Sequence, residues 1–390
     1  MNSFSRFLVV LFFLFCSFCT PALFADSDGK YVLSSLKDAE AKLEYRKAIS
    51  LLDDGQIYHA LTTLNAALKR EPDNAQLLSK TGLLAIDSGD SWLKTARSCL
   101  EKLYKVNEKN LTSDEVIAYS RSLFMVEPLK LVDSEKLLNE VLTKEPENIS
   151  AQIALAELEL MKARFQNALD LFNKAKPKKP LEPRIAWGIG YAYLGMGYRE
   201  KAMFAFLDAY SLTPKSATNC EKMGKAMLDL GKPMMAKTYF STAINIDPNS
   251  VEGHLGVAAI QLVSNEDASA IWHLRKVLDL DPQNPRLYLY RGIYNEMRQN
   301  LTEAIEDYRL AASLGGNMAE AKLRLAKIYA GVGHAFPGGI FSNETAEGQA
   351  IYRQYANVNE AITLLNEVIQ LAPNHPEISY IKALLKSLED

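Results

Sequence analysis

The residues able to do chemistry are few, and their spacing restricts them further. Cys16-Ser-Phe-Cys19 has the C-x-x-C spacing of redox and metal sites, but it lies within the apolar N-terminal stretch Met1–Ala25, where no redox site would be built. Cys99 and Cys220 are far apart, and each falls in a helical pattern, the setting of a buried inert thiol. The histidines, His59, His254, His273, His334 and His375, form no i,i+3 or i,i+4 pair, so a metal site would need residues from distant segments. Isolated surface or half-buried histidines are expected instead. Gly188-Ile-Gly190 begins like a dinucleotide fingerprint, but no strand precedes it. H-E-x-x-H, G-x-S-x-G and G-x-x-x-x-G-K-[ST] are absent. The carboxylates stand beside Lys and Arg at helical spacing, as on solvated faces. The expectation is a protein that is not an enzyme and carries no cofactor, metal or small-molecule substrate.

Composition narrows the partners. The 390 residues are 48% hydrophobic and 23% charged, with 44 Lys plus Arg against 47 Asp plus Glu, a net charge of −3. That balance excludes wholesale disorder and gives no basic footprint for nucleic acid. In residues 1–25, Arg6 precedes the apolar run Phe7–Phe18, with Pro21 and small residues up to Ala25 after it. This is the pattern of a secretory signal, cut after Ala25 or Ala22, with an apolar run too short to span a bilayer. An uncleaved N-terminal anchor is the alternative. The chain is therefore expected in the periplasm, or alternatively secreted or in the ER lumen.

Such a length would ordinarily make two or three domains, but the chain after residue 40 is periodic. Pro146, Pro180, Pro214, Pro248 and Pro282 are each 34 residues apart. Ala168, Ala202, Ala236, Ala270 and Ala304 keep the interval, as do Phe172, Phe206 and Phe240, continued by Leu274 and Tyr308. Gly190, Gly224 and Gly292 form a further column, with Ala156 and Ala258 in its gaps. Proline cannot continue a helix, so a proline column marks a recurring helix stop.

The clearest unit, Pro183–Lys215, has Ile189-Gly190, Tyr193, Gly197, Ala202, Phe206, Ala209 and Pro214 in the places of the pattern W-x-x-L-G-x-x-Y…A-x-x-x-F…P. With these residues the chain resembles the tetratricopeptide repeat family. The resemblance implies an all-α, right-handed superhelical solenoid of about nine helix-turn-helix units. The expected organisation is a signal at 1–25, a lead-in at 26–40 and one repeat array at 41–373, with a capping helix at 374–390. Units begin near 41, 75, 111, 149, 183, 217, 251, 285 and 319. From Pro282 to Pro373 is 91 residues, two periods plus 23, which places an insertion at 334–356 in the last unit.

The resemblance also implies where partners bind. The first helix of each unit would line a concave groove through its second, fifth, ninth and twelfth residues. Arg184, Trp187 and Tyr191 in one unit, with Glu221 and Lys225 in the next, are the groove candidates for a protein or peptide ligand. The opposing possibility is that the aromatics pad the stacking of adjacent first helices; Tyr45 and Tyr119, at the same fifth place, tilt the reading towards a groove. The Lys/Asn clamp of heat-shock co-chaperones is missing. In the insertion, Phe336, Phe341, Tyr352 and Tyr355 are the candidates, since long interruptions of a repeat often carry contacts.

The functional expectation is a non-catalytic exported scaffold or adaptor in a cell-envelope machine, associated with the membrane through its partners. Signal plus repeats looks like exported bacterial tetratricopeptide proteins of Flp/Tad or type IV pilus assembly and of exopolysaccharide export. The alternative is a periplasmic or lumenal chaperone-like binder of client polypeptides.

Overall fold

The computed structural model describes residues 32–389 except 54–55, 90–91, 128–129, 214–215, 265, 316–317, 334–345 and 374. The signal expected at 1–25 and the first part of the lead-in lie outside the described residues. The lead-in is described from Val32, with a helical turn at 32–35 and Val32 and Leu36 buried. The described residues form helices and no strand. Where the 34-residue period runs on unbroken, the fold divides into two compact units at Met223/Gly224.

In the N-terminal unit the first helices of successive hairpins are α1 (Ala39–Asp53), α3 (Ala75–Ile86), α5 (Ser113–Val126), α7 (Ile149–Met161) and α9 (Pro183–Gly195). Each is followed by its second helix, namely α2 (Ile57–Arg70), α4 (Leu93–Asn107), α6 (Leu131–Lys144), α8 (Phe165–Ala175) and α10 (Arg199–Leu212). The division falls inside α11 (Ala217–Asp229). The second unit continues with α12 (Pro233–Ile246), then α13 (Val251–Val263) with α14 (Asp267–Leu280), and α15 (Pro285–Met297) with α16 (Leu301–Leu314). In the last hairpin α17 (Ala319–Tyr329) packs on α19 (Val358–Leu371), with α18 (Ala346–Arg353) between them in sequence. The amphipathic α20 (Ile378–Glu389) covers α19 and buries Ile381 and Leu384.

Local chemistry explains why the elements begin and turn where they do. Asn148, Glu182, Ser216, Ser250 and Asn284, again 34 residues apart, each accept a backbone N–H of the following first helix. Between the two helices of a hairpin the chain passes through the left-handed region at Ala163, Gly197, Gly231 and Gln299, one period apart save for the step over 265. The next residue then donates to a carbonyl five back, as in Tyr198 N to Tyr193 O at 2.9 Å and Asn300 N to Asn295 O at 2.9 Å. In the last hairpin it is Asn357 that donates to Tyr329 O, at 2.8 Å. The hairpin bond is thus kept across an excursion that leaves at Gly333 and returns at Asn357.

Packing accounts for the small and aromatic columns. Trp187 and Tyr191 close on Phe206 at centroid distances of 5.6 and 4.9 Å. A methyl group on Gly190 would run into the Phe206 ring, and one on Gly292 would stand 2.5 Å from Tyr308. Side chains this close leave no room for a Cβ, so glycine is required at both positions.

Candidate functional site

The first-helix faces are where the groove candidates lie, and the structure gives those residues other work. α9 starts on the Glu182 cap with Pro183 at its first position, a pre-set φ for helix. It is buried on nearly every side, Arg184, Trp187 and Tyr191 included. Trp187 is fully buried and Tyr191 almost so, both against Phe206, so they are core contacts rather than an open grip. Tyr45 is likewise buried, and Tyr119 stacks on Tyr104 at 4.7 Å with the Arg97 guanidinium over its ring. The padding alternative describes Trp187, Tyr191 and Tyr45, because exposure is set by neighbouring helices and not by position along one.

The charges on these faces are spent on one another. Arg184 donates twice to Glu157, Nε at 2.8 Å and Nη2 at 2.7 Å. Glu157 also accepts from Arg121 Nε at 3.1 Å, and Arg121 Nη1 reaches Asp87 at 2.8 Å. Burial alone pushes the Glu157 carboxyl up, but Arg184 and Arg121 overcome this and hold it below the usual carboxylate range. In the second unit Glu252 Oε2 lies 2.9 Å from Lys225 Nζ and 2.6 Å from Arg286 Nη1. Against the same burial, Arg286 and Lys225 hold Glu252 at about 2. Asp229, one turn beyond Lys225, is pushed up to about 8 by burial, which Lys225 only partly offsets. Glu221 is buried in the N-terminal unit's part of α11. Arg184 and Lys225 therefore tie first helices together, and neither stands open to an incoming peptide.

The insertion candidates divide. Phe336 and Phe341 lie outside the described residues. Tyr352 of α18 is buried and donates to Glu296 Oε1 at 3.0 Å, beside Tyr308, which donates to Oε2 at 2.6 Å. Tyr355, half-buried, pairs its hydroxyl with that of Thr302 at 3.2 Å. Both described tyrosines anchor the excursion to the preceding hairpin and do not present it to a partner.

Sequence reasoning missed one cluster. His254 and His273, 19 residues apart, meet across the hairpin of α13 and α14 with their Nδ1 atoms 2.8 Å apart. An antiparallel pairing of the two helices could have found them, whereas a search along single helices could not. Among the described residues no group of three or more His, Cys, Asp or Glu could hold a metal ion. Cys99 and Cys220 are buried and in no disulfide, and burial pushes Cys99 up to about 12. No helix among the described residues is long and apolar enough to cross a membrane. The large apolar side chains left in water lie elsewhere, mostly on second helices: Phe204 of α10 is 72% exposed and Trp272 of α14 is 53% exposed, with Met234 and Met235 on α12 also exposed.

Comparison with known proteins agrees with this architecture. Tetratricopeptide repeat families match residues 45–91, 268–321 and 183–216. The TPR repeat-containing protein YpiA of Bacillus subtilis is 24% identical over 365 residues, 87% of this chain and 81% of that protein. Of the solved structures, the APC/C hetero-tetramer Cut9-Hcn1 aligns with a TM-score of 0.55 and 16% identity, over 93% of this chain and 66% of that one. A monomeric mutant of IFIT1 with Gppp-AAAA aligns at 0.52 and 16%, over 90% of this chain and 82% of that one. At such identity the two structures speak for the fold alone. The 34-residue hairpins, the repeat matches over three stretches and these neighbours together support a superhelical, all-α tetratricopeptide repeat fold.

Proposed function

We propose that the chain is a non-catalytic scaffold, exported through a cleaved signal at 1–25 into the periplasm, that holds partner proteins together in a cell-envelope machine for pili, secretion or exopolysaccharide export. Tetratricopeptide repeats in general mediate protein–protein contacts. The observation that carries the reading is the placement of exposed apolar surface. Arg121, Arg184, Lys225 and Arg286 of the first helices are paired with carboxylates, while Phe204 and Trp272 stand in water on second helices. They are 68 residues apart, two periods, and so hold the same place in their hairpins. Large aromatics exposed at one repeated position mark protein-contact surface. Nucleic acid is outside this partner class: the net charge is −3, and Arg121, Arg184 and Arg286 are tied to carboxylates.

A second reading, a chaperone-like binder of client polypeptides, is favoured by Met234 and Met235, adjacent and exposed on α12, because Met surfaces adapt to many partners. Pull-down from an envelope fraction with the mature chain separates the two. The scaffold reading expects a small fixed set of partners, lost on Phe204→Ser or Trp272→Ser, and a mature N-terminus at Asp26. A broad set of unfolded clients favours the second reading, and an uncut chain recovered from the cytosol sinks the export proposal.

A further inference from the structure

The scaffold reading leaves one cluster of titratable groups unused, the histidine pair of the hairpin α13/α14. The Nδ1 atoms are 2.8 Å apart and the ring centroids 5.1 Å apart. The centroid separation is the contact plus one ring radius at each end, so the rings meet head-on along their Nδ1 directions. A metal shared by both would need two lone pairs aimed at one off-axis point. Two nitrogens facing each other have instead the geometry of an N–H···N hydrogen bond.

The protons can be placed from the partners. His254 Nε2 lies 3.1 Å from the Pro248 carbonyl, which only accepts, so Nε2 carries the hydrogen. Neutral His254 then has a bare Nδ1, and His273 must supply the shared hydrogen from its own Nδ1. His273 is left with a bare Nε2. The Trp272 ring lies edge-on to both, at 5.7 Å from His254 and 4.8 Å from His273. The charged groups facing the pair are Lys237 of α12, which also pairs with Glu266 at 2.7 Å, Lys276 of α14, and Asp247 in the turn before α13.

We propose that His254 and His273 form a proton-gated latch across this hairpin, closed while His254 Nδ1 is bare and opened when acid fills it. A first added proton enters at His273 Nε2 and leaves the shared bond intact. A second, on His254 Nδ1, sets two N–H groups head-on, and the contact breaks. The surroundings resist both steps until the medium is acidic. Burial lowers His273 to about 4, helped by His254 and Lys237. Burial also lowers His254, with Lys276 adding to it and the Pro248 carbonyl and Asp247 opposing. The His273 folded pKa below the unfolded 6.5 means stability present above pH 6.5 and lost as pH falls through about 4 with the first proton, and the lowered His254 adds a further loss when the second proton opens the latch. The loss falls on the second unit, beside the exposed Trp272. That it would also weaken a partner held there rests on the scaffold reading, whereas the latch itself does not.

The unmodified full-length chain tests this through its histidine side chains, 15N-labelled and recorded in long-range 1H–15N spectra from pH 7.5 to 3.5. The expected signature is His254 as the Nε2–H tautomer and His273 as the Nδ1–H tautomer at neutral pH. Between pH 6.5 and 4.5 amide protection in α13 and α14 should fall by up to about tenfold per pH unit, while α7 and α9 hold theirs until the lowered Glu157 carboxyl begins to protonate below that window. His273→Gln should flatten that profile. Both rings as Nε2–H, a titration near 6.5 with unchanged protection, or a stoichiometric Cu2+ or Zn2+ complex of both rings overturns the latch. These outcomes are independent of whether any partner is found, so failure of the latch and failure of the scaffold reading are distinguishable.

Discussion

The two units bury charge between their first helices with different groups. In the N-terminal unit the series is Asp87, Arg121, Glu157, Arg184, in which both cations are guanidinium groups and Glu157 takes a two-pronged contact from Arg184. In the second unit it is Lys225, Glu252, Arg286, with both cations on one oxygen of Glu252 and Asp229 one turn from Lys225. Arginine holds its charge at every working pH and its fork fits a carboxylate. Arg184 and Arg121 hold the Glu157 carboxyl below its usual range, so these groups keep their charges at neutral pH. The second unit contains Asp229 at about 8 and His273 at about 4, so its stability must change with pH. The two buried series therefore answer pH differently: around neutral pH the first keeps its charges, whereas the second unit buries groups that titrate.

The largest expected effect is the loss of the carboxylate on which the first series turns. Glu157→Gln leaves Arg184 buried without its partner, and breaking a buried pair in this way costs about 3–5 kcal/mol. Amide protection of α7 and α9 by hydrogen exchange is the measurement. Glu252→Gln should cost less, about 2–3 kcal/mol at neutral pH, because Asp229 can ionise and take up the Lys225 charge. Equal costs would show that the two series are alike after all.

Asp229→Asn sharpens the contrast. The folded state keeps the Asp229 proton up to about 8, while an unfolded aspartate loses it near 3.8. A raised carboxyl contributes stability that is complete below 3.8 and lost as pH rises through about 8. Asparagine has no proton to lose. The variant should match the parent near pH 4 and exceed it by about 1–3 kcal/mol at pH 9, as a flatter pH profile of second-unit protection. A constant difference across pH would mean that Asp229 is ionised in the folded chain.

How much of this was legible follows from how local each requirement is. Gly190, Ala202, Phe206 and the prolines obey rules of close approach, wedge filling and helix stopping that repeat every 34 residues, so the hairpins could be read directly. The cap series from Asn148 to Asn284 and the left-handed turn positions keep the same period, but Ala163 and Gln299 carry no side-chain signal for such a turn. The site was not legible. Trp187 and Tyr191 have the type and spacing of a groove, yet what decides their role is the burial imposed by Phe206 and the neighbouring helices. Arg184 and Glu157 are 27 residues apart and share no column, and His254 and His273 lie at unrelated places on antiparallel helices. The division at Met223/Gly224 leaves no mark on the period, because it falls inside one helix.

The smallest effects test whether the contrast is electrostatic only. Ala163 in the N-terminal unit and Gln299 in the second turn through φ of 56° and 62°, where Gly197 and Gly231 stand in the same column. A side chain in this left-handed region costs about 1–2 kcal/mol. Glycine gives back part of that through the freedom it gains when unfolded. Ala163→Gly and Gln299→Gly should therefore each stabilise by about 0.5–1 kcal/mol, read as higher protection of α7–α8 and of α15–α16. Neither gain should vary with pH, since no titrating group is removed. Matching gains would mean that the units share their turn chemistry and differ only in the charges they bury. A gain in one unit and a loss in the other would show that the hairpins themselves differ, and that the pH contrast has a second source.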